Sequence, residues 1–277
     1  MSRLVAIGGG LDHPEGVAYS DSLGLFAGGE AGQIYRIDPD SGAHEIIAET
    51  GGYVLGMAFG PDGRLYACDM GRSAVLAIDT STGAVEDVTS GRGPTLAVPN
   101  HLVFANDGSL FVSDSGSWPG PAGRVVRYAP DGEGRVVDES AGGFTNGLAI
   151  DPTGEWLYVV ETSVPAISRL RIVGEELHGA ERVVEMARTV PDGIAFAADG
   201  TLVISCYRPD AVYTFTEASG LQVLAEDWTG LVLSAPTNVV FAGPARDRLI
   251  TANLANQHLV EVLDTGLVGA PLEFTRA

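Results

Sequence analysis

The sequence predicts an all-β fold, a six-bladed β-propeller with four-stranded antiparallel blades. Three observations lead there: a fixed internal period, hairpin turns at one phase of that period, and no helical pattern. Asn100, Asn146, Asp192 and Asn238 stand 46 positions apart, each in a short segment of one shape: PNHLVF, TNGLAI, PDGIAF and PTNVVF. Earlier, HPEGVAY puts Glu15 at this phase and VLGMAF puts the uncharged pair Leu55 and Gly56 there, which makes six units. A period of roughly 40–50 residues with four strands per unit marks a propeller blade.

Each unit has the same order of elements. An apolar segment is followed by a turn such as PDGR or NDGS, an alternating segment such as LYACD or LFVSD, and a third such as AVLAID or VVRYAP. A turn such as DPDSG or DTSTG and a fourth apolar segment complete it. Pro61-Asp62-Gly63, Asn106-Asp107-Gly108, Pro152-Thr153-Gly154 and Ala198-Asp199-Gly200 carry hairpin chemistry. Pro presets φ, Asp bonds its own backbone, and Gly takes the left-handed position. No stretch keeps a 3.6-residue apolar period, and 37 glycines with 15 prolines oppose helices. SRLVAIGG precedes HPEG as HEIIAET precedes the second unit, so it is expected to supply the fourth strand of the last blade, whose inner strands come from residues 237–263. The tail GAPLEFTRA then packs over that closure or competes for the same strand position. No linker is left over, so residues 1–277 are expected to form a single β-propeller domain.

With 36 acidic and 16 basic residues, the formal net charge of −20 repels phosphate backbones and anionic lipid surfaces. Neither nucleic acid nor a membrane is an expected partner. MSRLVAIGGG lacks the apolar core of a signal peptide, and no run of 18 apolar residues occurs, so the expected location is the cytoplasm. Cys68 and Cys206 lie in the second strands of the second and fifth units, on opposite sides of a six-fold disc, and are expected to stay reduced.

The innermost strand of each blade lines the channel, so Glu15, Asn100, Asn146, Asp192 and Asn238 are expected to ring its mouth, with an apolar gap at Leu55. Two carboxylates converging with three amides require a counter-charge, because like charges in a shielded site raise each other's pKa or demand a cation. The donors are all oxygen, which suits a hard divalent ion such as Ca²⁺, Mg²⁺ or Mn²⁺.

HPEGVAY, VPNHLVFANDGSLFVSDSG, FTNGLAI and VPDGIAF resemble the motifs of the SMP-30/gluconolactonase/LRE-like family. These six-bladed propellers include metal-dependent sugar lactonases and, more distantly, calcium-dependent phosphotriesterases of the diisopropylfluorophosphatase type. The resemblance implies Glu15, Asn146 and Asp192 as metal ligands, Asn100 as a residue that contacts substrate or completes the metal shell, and Asp192 as catalytic acid/base. It implies one divalent ion, Ca²⁺ ahead of Mg²⁺, Mn²⁺, Zn²⁺ or Fe²⁺. Two departures stand out. Many sugar lactonases of the family place an arginine just before the third-blade Asn, where this chain has LAVPN, which opens the substrate class to less polar lactones or esters. Asn238 stands where the family has small residues.

A second ring, Glu30, Asp69, Asp114, Glu161, Cys206 and Asn253, follows 13 to 15 residues after the first and is expected to bond loop backbones. The loop SGSWPGPAG puts Trp118 near the mouth as a substrate wall or lid, or packed over a neighbouring blade. His13 and His258 are candidates for proton transfer, whereas alternation along a strand turns His101 away from the ring to pack between blades. The function expected is metal-dependent opening of a lactone. A phosphotriesterase, a non-enzymatic interaction platform and a strictosidine-synthase-like condensing enzyme are the alternatives.

Overall fold

The computed structural model describes residues 3–271. Among these, six four-stranded antiparallel sheets form and no helix does. Five sheets follow chain order, over residues 16–49, 54–87, 99–138, 145–185 and 190–226. The sixth takes Val239–Ala242, Arg248–Thr251 and Leu259–Val262 from late in the chain and Leu4–Ile7 from its start. Leu4 pairs with Val262 and Ile7 with Leu259, so the two ends of the chain close one blade as the sequence predicts. The innermost strands touch one another in sequence around the disc, and Val239–Ala242 returns to Gly16–Ser20. The hairpin glycines Gly63, Gly108, Gly154 and Gly200 all have φ between 75° and 86°, the left-handed region that the turn reading requires.

The tail takes a course of its own. Gly269 bridges Ala197, the Ala270 N–H donates to the Phe196 carbonyl at 3.0 Å, and Leu267 packs in the core that also holds Leu4 and Val262. The strand position beside Leu259–Val262 belongs to Leu4–Ile7, so the tail does not compete for it. Leu272–Ala277, the remainder of the predicted tail segment, lies outside the described residues.

The core sits between blades. Side chains on one face of each sheet meet the opposite face of the next, in clusters such as Phe111, Val125, Leu148, Leu157 and Leu170. An edge-to-face aromatic contact recurs at one phase: Phe26 with Phe59 at 5.4 Å, Tyr66 with Phe104 at 4.8 Å, Tyr158 with Phe196 at 4.9 Å. Burying each large side chain stabilises the fold by about 1.5–3 kcal/mol, so the blade contacts repeat energetically as well as geometrically.

The innermost strands are irregular where the ring falls. Pairing skips from Val54 to Met57, from Pro99 to His101, from Thr145 to Leu148 and from Pro191 to Ile194. The unpaired residues are Leu55 and Gly56, Asn100, Asn146 and Gly147, and Asp192 and Gly193. A bulge re-aims the side chain it carries, and here four bulges do so at one level of the channel.

Candidate metal centre

Every ring residue is buried: Glu15, Asn100, Asn146, Asp192 and Asn238 are each less than 8 % exposed. The glycines that follow let the inner strands converge. A Cβ on Gly16 would stand 2.1 Å from the Leu55 carbonyl oxygen, and one on Gly147 would stand 2.4 Å from that of Asp192. Close approach of backbones therefore sets the narrowness of the ring.

The polar atoms divide into those that build the ring and those left over. Asn146 Nδ2 donates to Thr162 Oγ1 at 3.2 Å, and that hydroxyl donates to the Pro191 carbonyl at 2.7 Å, tying blade four to blade five. Asn238 Nδ2 and Thr237 Oγ1 both donate to the Glu15 carbonyl at 2.9 Å, tying blade six to blade one. Asn100 Oδ1, Asn146 Oδ1, Asp192 Oδ1 and Asn238 Oδ1 are buried and accept no hydrogen bond among the described residues. An unmet buried acceptor costs about 1–3 kcal/mol, so four in one ring mark a site that something else completes.

The carboxyls carry the same message. Burial raises Glu15 well above the usual carboxyl range, the neighbouring Asp192 raises it further, and the Tyr53 hydroxyl, donating at 3.3 Å, pulls it partly back. Burial pushes Asp192 up to about 7 against the opposing pull of the Asn146 side chain. Two carboxyls that resist ionising together, beside orphaned amide oxygens, fit a hard divalent cation: its charge relieves the repulsion and its shell takes the lone pairs.

A sequence profile described as the SMP-30/gluconolactonase/LRE-like region matches residues 14–253, from just before Glu15 to just past the sixth-blade strand Arg248–Thr251. The chain belongs to this family. Among curated relatives it is 28 % identical over 227 residues to a pentonolactonase of Haloferax volcanii, covering 79 % of this chain and 73 % of that protein. It is 26 % identical over 208 residues to a strictosidine synthase-like protein of Arabidopsis thaliana, covering 69 % of this chain and 55 % of the relative. The gluconolactonase structure from Xanthomonas campestris superposes with a TM-score of 0.79 at 21 % identity, covering 94 % of this chain and 89 % of that one, a likeness of fold.

Trp118 is 59 % exposed and stacks edge-to-face on the half-buried Phe144 at 5.1 Å, so it packs against the segment leading into the fourth blade. Just before Asn100 this chain has no basic residue: Pro99 precedes it, and before that stands Val98. Its N–H and that of Ala97 are held by Asp114, whose carboxylate also takes the Arg124 guanidinium at 2.8 Å.

The second ring does what its regularity predicts in most blades. Asp69 accepts the N–H groups of Tyr53 and Arg72, Glu161 accepts that of Gly143, and Asn253 accepts that of Ser234. Glu30 departs: it is exposed and pairs with His13 at 3.4 Å, while Asp12 takes over the loop bond to Ala31. Asp12, His13 and Glu30 thus form a small rim cluster in which the imidazole sits between two carboxylates. His258 donates to the Val232 carbonyl at 2.9 Å and is a loop clamp. Cys68 and Cys206 are free and buried, and burial raises both thiols, so neither is an activated nucleophile.

His101 departs from the sequence expectation. Strand alternation turns it between blades, but the bulge at Asn100 swings it to the channel, where it borders a cavity of about 490 Å³ running to the opposite face. Its Nδ1 accepts the Leu148 N–H at 3.2 Å, and burial depresses the imidazole to about 4, so it is neutral and lies beside the Asn238 side chain. That lower cavity, lined by residues such as Val17, Phe59, Phe104 and Phe196, contains none of the ring residues.

Tyr53 and Thr162 are contributors that sequence reading missed. Neither stands at the ring phase, and each acts through a single hydroxyl.

Proposed function

We propose that this chain is a divalent-metal-dependent hydrolase that opens lactones, with Glu15, Asn100, Asn146 and Asp192 holding the ion. Four buried, unbonded oxygens in the ring that holds the Glu15 and Asp192 carboxyls support this reading above all else. Oxygen-only donors favour Ca²⁺, with Mg²⁺, Mn²⁺, Zn²⁺ and Fe²⁺ as the other candidates. When bound, the ion would supply Lewis-acid polarisation of the substrate carbonyl.

The remaining roles fall to side chains. Asp192 takes a proton from the attacking water and returns it to the leaving ring oxygen. Asn100, with a free Oδ1 and no tie to a neighbouring blade through its side chain, orients the substrate. Trp118, backed by Phe144, offers an apolar wall. Val98 in place of a cationic residue favours a neutral, less polar lactone or ester over an acidic sugar, and the formal charge of −20 disfavours polyanionic partners. Buried free thiols suit a reducing, cytoplasmic location.

A pH-indicator screen of lactones of graded polarity, with organophosphate triesters in parallel, tests this function. Lactone hydrolysis by the wild type, lost in a folded Asp192→Asn variant, is the expected result. Turnover of triesters alone would reassign the site to phosphotriester chemistry, and full lactonase activity in Asp192→Asn would remove Asp192 from the mechanism.

A further inference from the structure

Blade two brings no polar side chain to the ring from its own inner strand: Leu55 is apolar and Gly56 has no side chain. Tyr53, two residues earlier, reaches the same level, and its hydroxyl donates to Glu15 Oε2 at 3.3 Å. This is the one side-chain hydrogen bond that the Glu15 carboxyl accepts among the described residues. The ring's apparent gap is therefore filled by a donor.

The phenol is held from behind. Its backbone N–H donates to Asp69 Oδ1 at 3.0 Å, its carbonyl accepts the Met70 N–H at 2.9 Å, and its ring packs with Met70 and Val98 against the core between blades two and three. A phenol is protonated at neutral pH. A neutral phenol in this place adds no charge to an already acidic ring and can donate its proton to the carboxylate.

We propose that Tyr53 is a positioning residue for the metal centre: its hydroxyl fixes the Glu15 carboxyl by one oxygen and leaves the other for the ion. This rests on the metal-centre reading. A glutamate side chain has several rotatable bonds, and ordering them at the moment of ion binding costs affinity. A partner that orders the ligand beforehand removes that cost, and loss of such an outer partner weakens metal binding about 10–100-fold.

Calorimetric titration of the chelator-stripped full chain with Ca²⁺ tests this, comparing wild type, Tyr53→Phe and Glu15→Gln, with melting of each measured in chelator. Tyr53→Phe keeps the ring and its packing, so its chelator melting should match wild type while its Ca²⁺ affinity falls about 10–100-fold. If Tyr53→Phe binds within twofold of wild type while Glu15→Gln loses binding, Tyr53 has no positioning role and the metal centre stands. If the wild type takes up neither Ca²⁺ nor Mg²⁺ nor Mn²⁺, the metal centre is wrong and the role of Tyr53 falls with it.

Discussion

Gly56 vacates the space that the His101 imidazole fills. A Cβ on Gly56 would lie 2.6 Å from His101 Cδ2 and 2.7 Å from the Asn100 carbonyl oxygen. The second blade thus yields room at the channel so that the third can place both Asn100 and His101 there.

Gly56→Ala should therefore overpack the channel and destabilise the protein by about 1–3 kcal/mol. His101→Ala in the same chain should recover part of this, because the contact with the Asn100 backbone remains. Urea unfolding of the two single variants and the double variant checks it; strictly additive losses would show that the two residues do not compete for space.

Closure by Leu4–Ile7 gives a second expectation. Removing residues 1–7 strips Leu259–Val262 of its outer partner strand, removes the buried Ile7, and leaves an open sheet edge. The lost burial and pairing amount to about 3–5 kcal/mol, and the truncated chain should melt earlier and aggregate. An unchanged melting midpoint would mean that the blade closes without this strand.

Asp114 should be a stability residue. It holds the N–H groups of Ala97 and Val98 and pairs with Arg124 from a position only 1 % exposed. Asp114→Ala leaves these donors without their acceptor and should cost about 3–5 kcal/mol in chemical denaturation. A loss below 1 kcal/mol would show that water replaces the carboxylate without penalty.

The raised carboxyls set a pH dependence in the metal-free protein. Between about pH 4 and 7 the folded chain keeps a proton on Asp192 that the unfolded chain has released, and Glu15 is displaced in the same direction. The folded state then binds more protons, so this contribution is fully present below about pH 4 and is lost as pH rises through about 7. In chelator, wild type should lose stability from pH 5 to 8 relative to Asp192→Asn, and excess Ca²⁺ should cancel that loss. Parallel pH profiles for the two proteins would contradict the assignment.

Much of this architecture is legible in the chain itself, because hairpin turns are local chemistry and the 46-residue ladder repeats it. Leu4–Ile7 was readable as the closing strand from its phase alone. The ring positions were readable for the same reason, but what their side chains do was less so. His101 was misplaced because strict alternation assumes an unbroken ladder, and the pairing skips Asn100. Tyr53 escaped notice because it reaches the ring from two residues off phase, a matter of side-chain length and loop course that periodicity does not encode. Asn238 is the most regular ring member by phase; its Nδ2 is committed to the Glu15 carbonyl, joining the last blade to the first, while its Oδ1 stays unbonded.

Above all, lactone opening should depend on a divalent ion at the Glu15–Asp192 ring. The most direct measurement is lactone hydrolysis by chelator-stripped protein as Ca²⁺ is titrated back, with Mg²⁺ and Mn²⁺ in separate titrations. Activity should be absent after stripping and return in proportion to ion bound, saturating at one ion per chain. Undiminished hydrolysis in the stripped protein, or no hydrolysis with any of these ions, would contradict it.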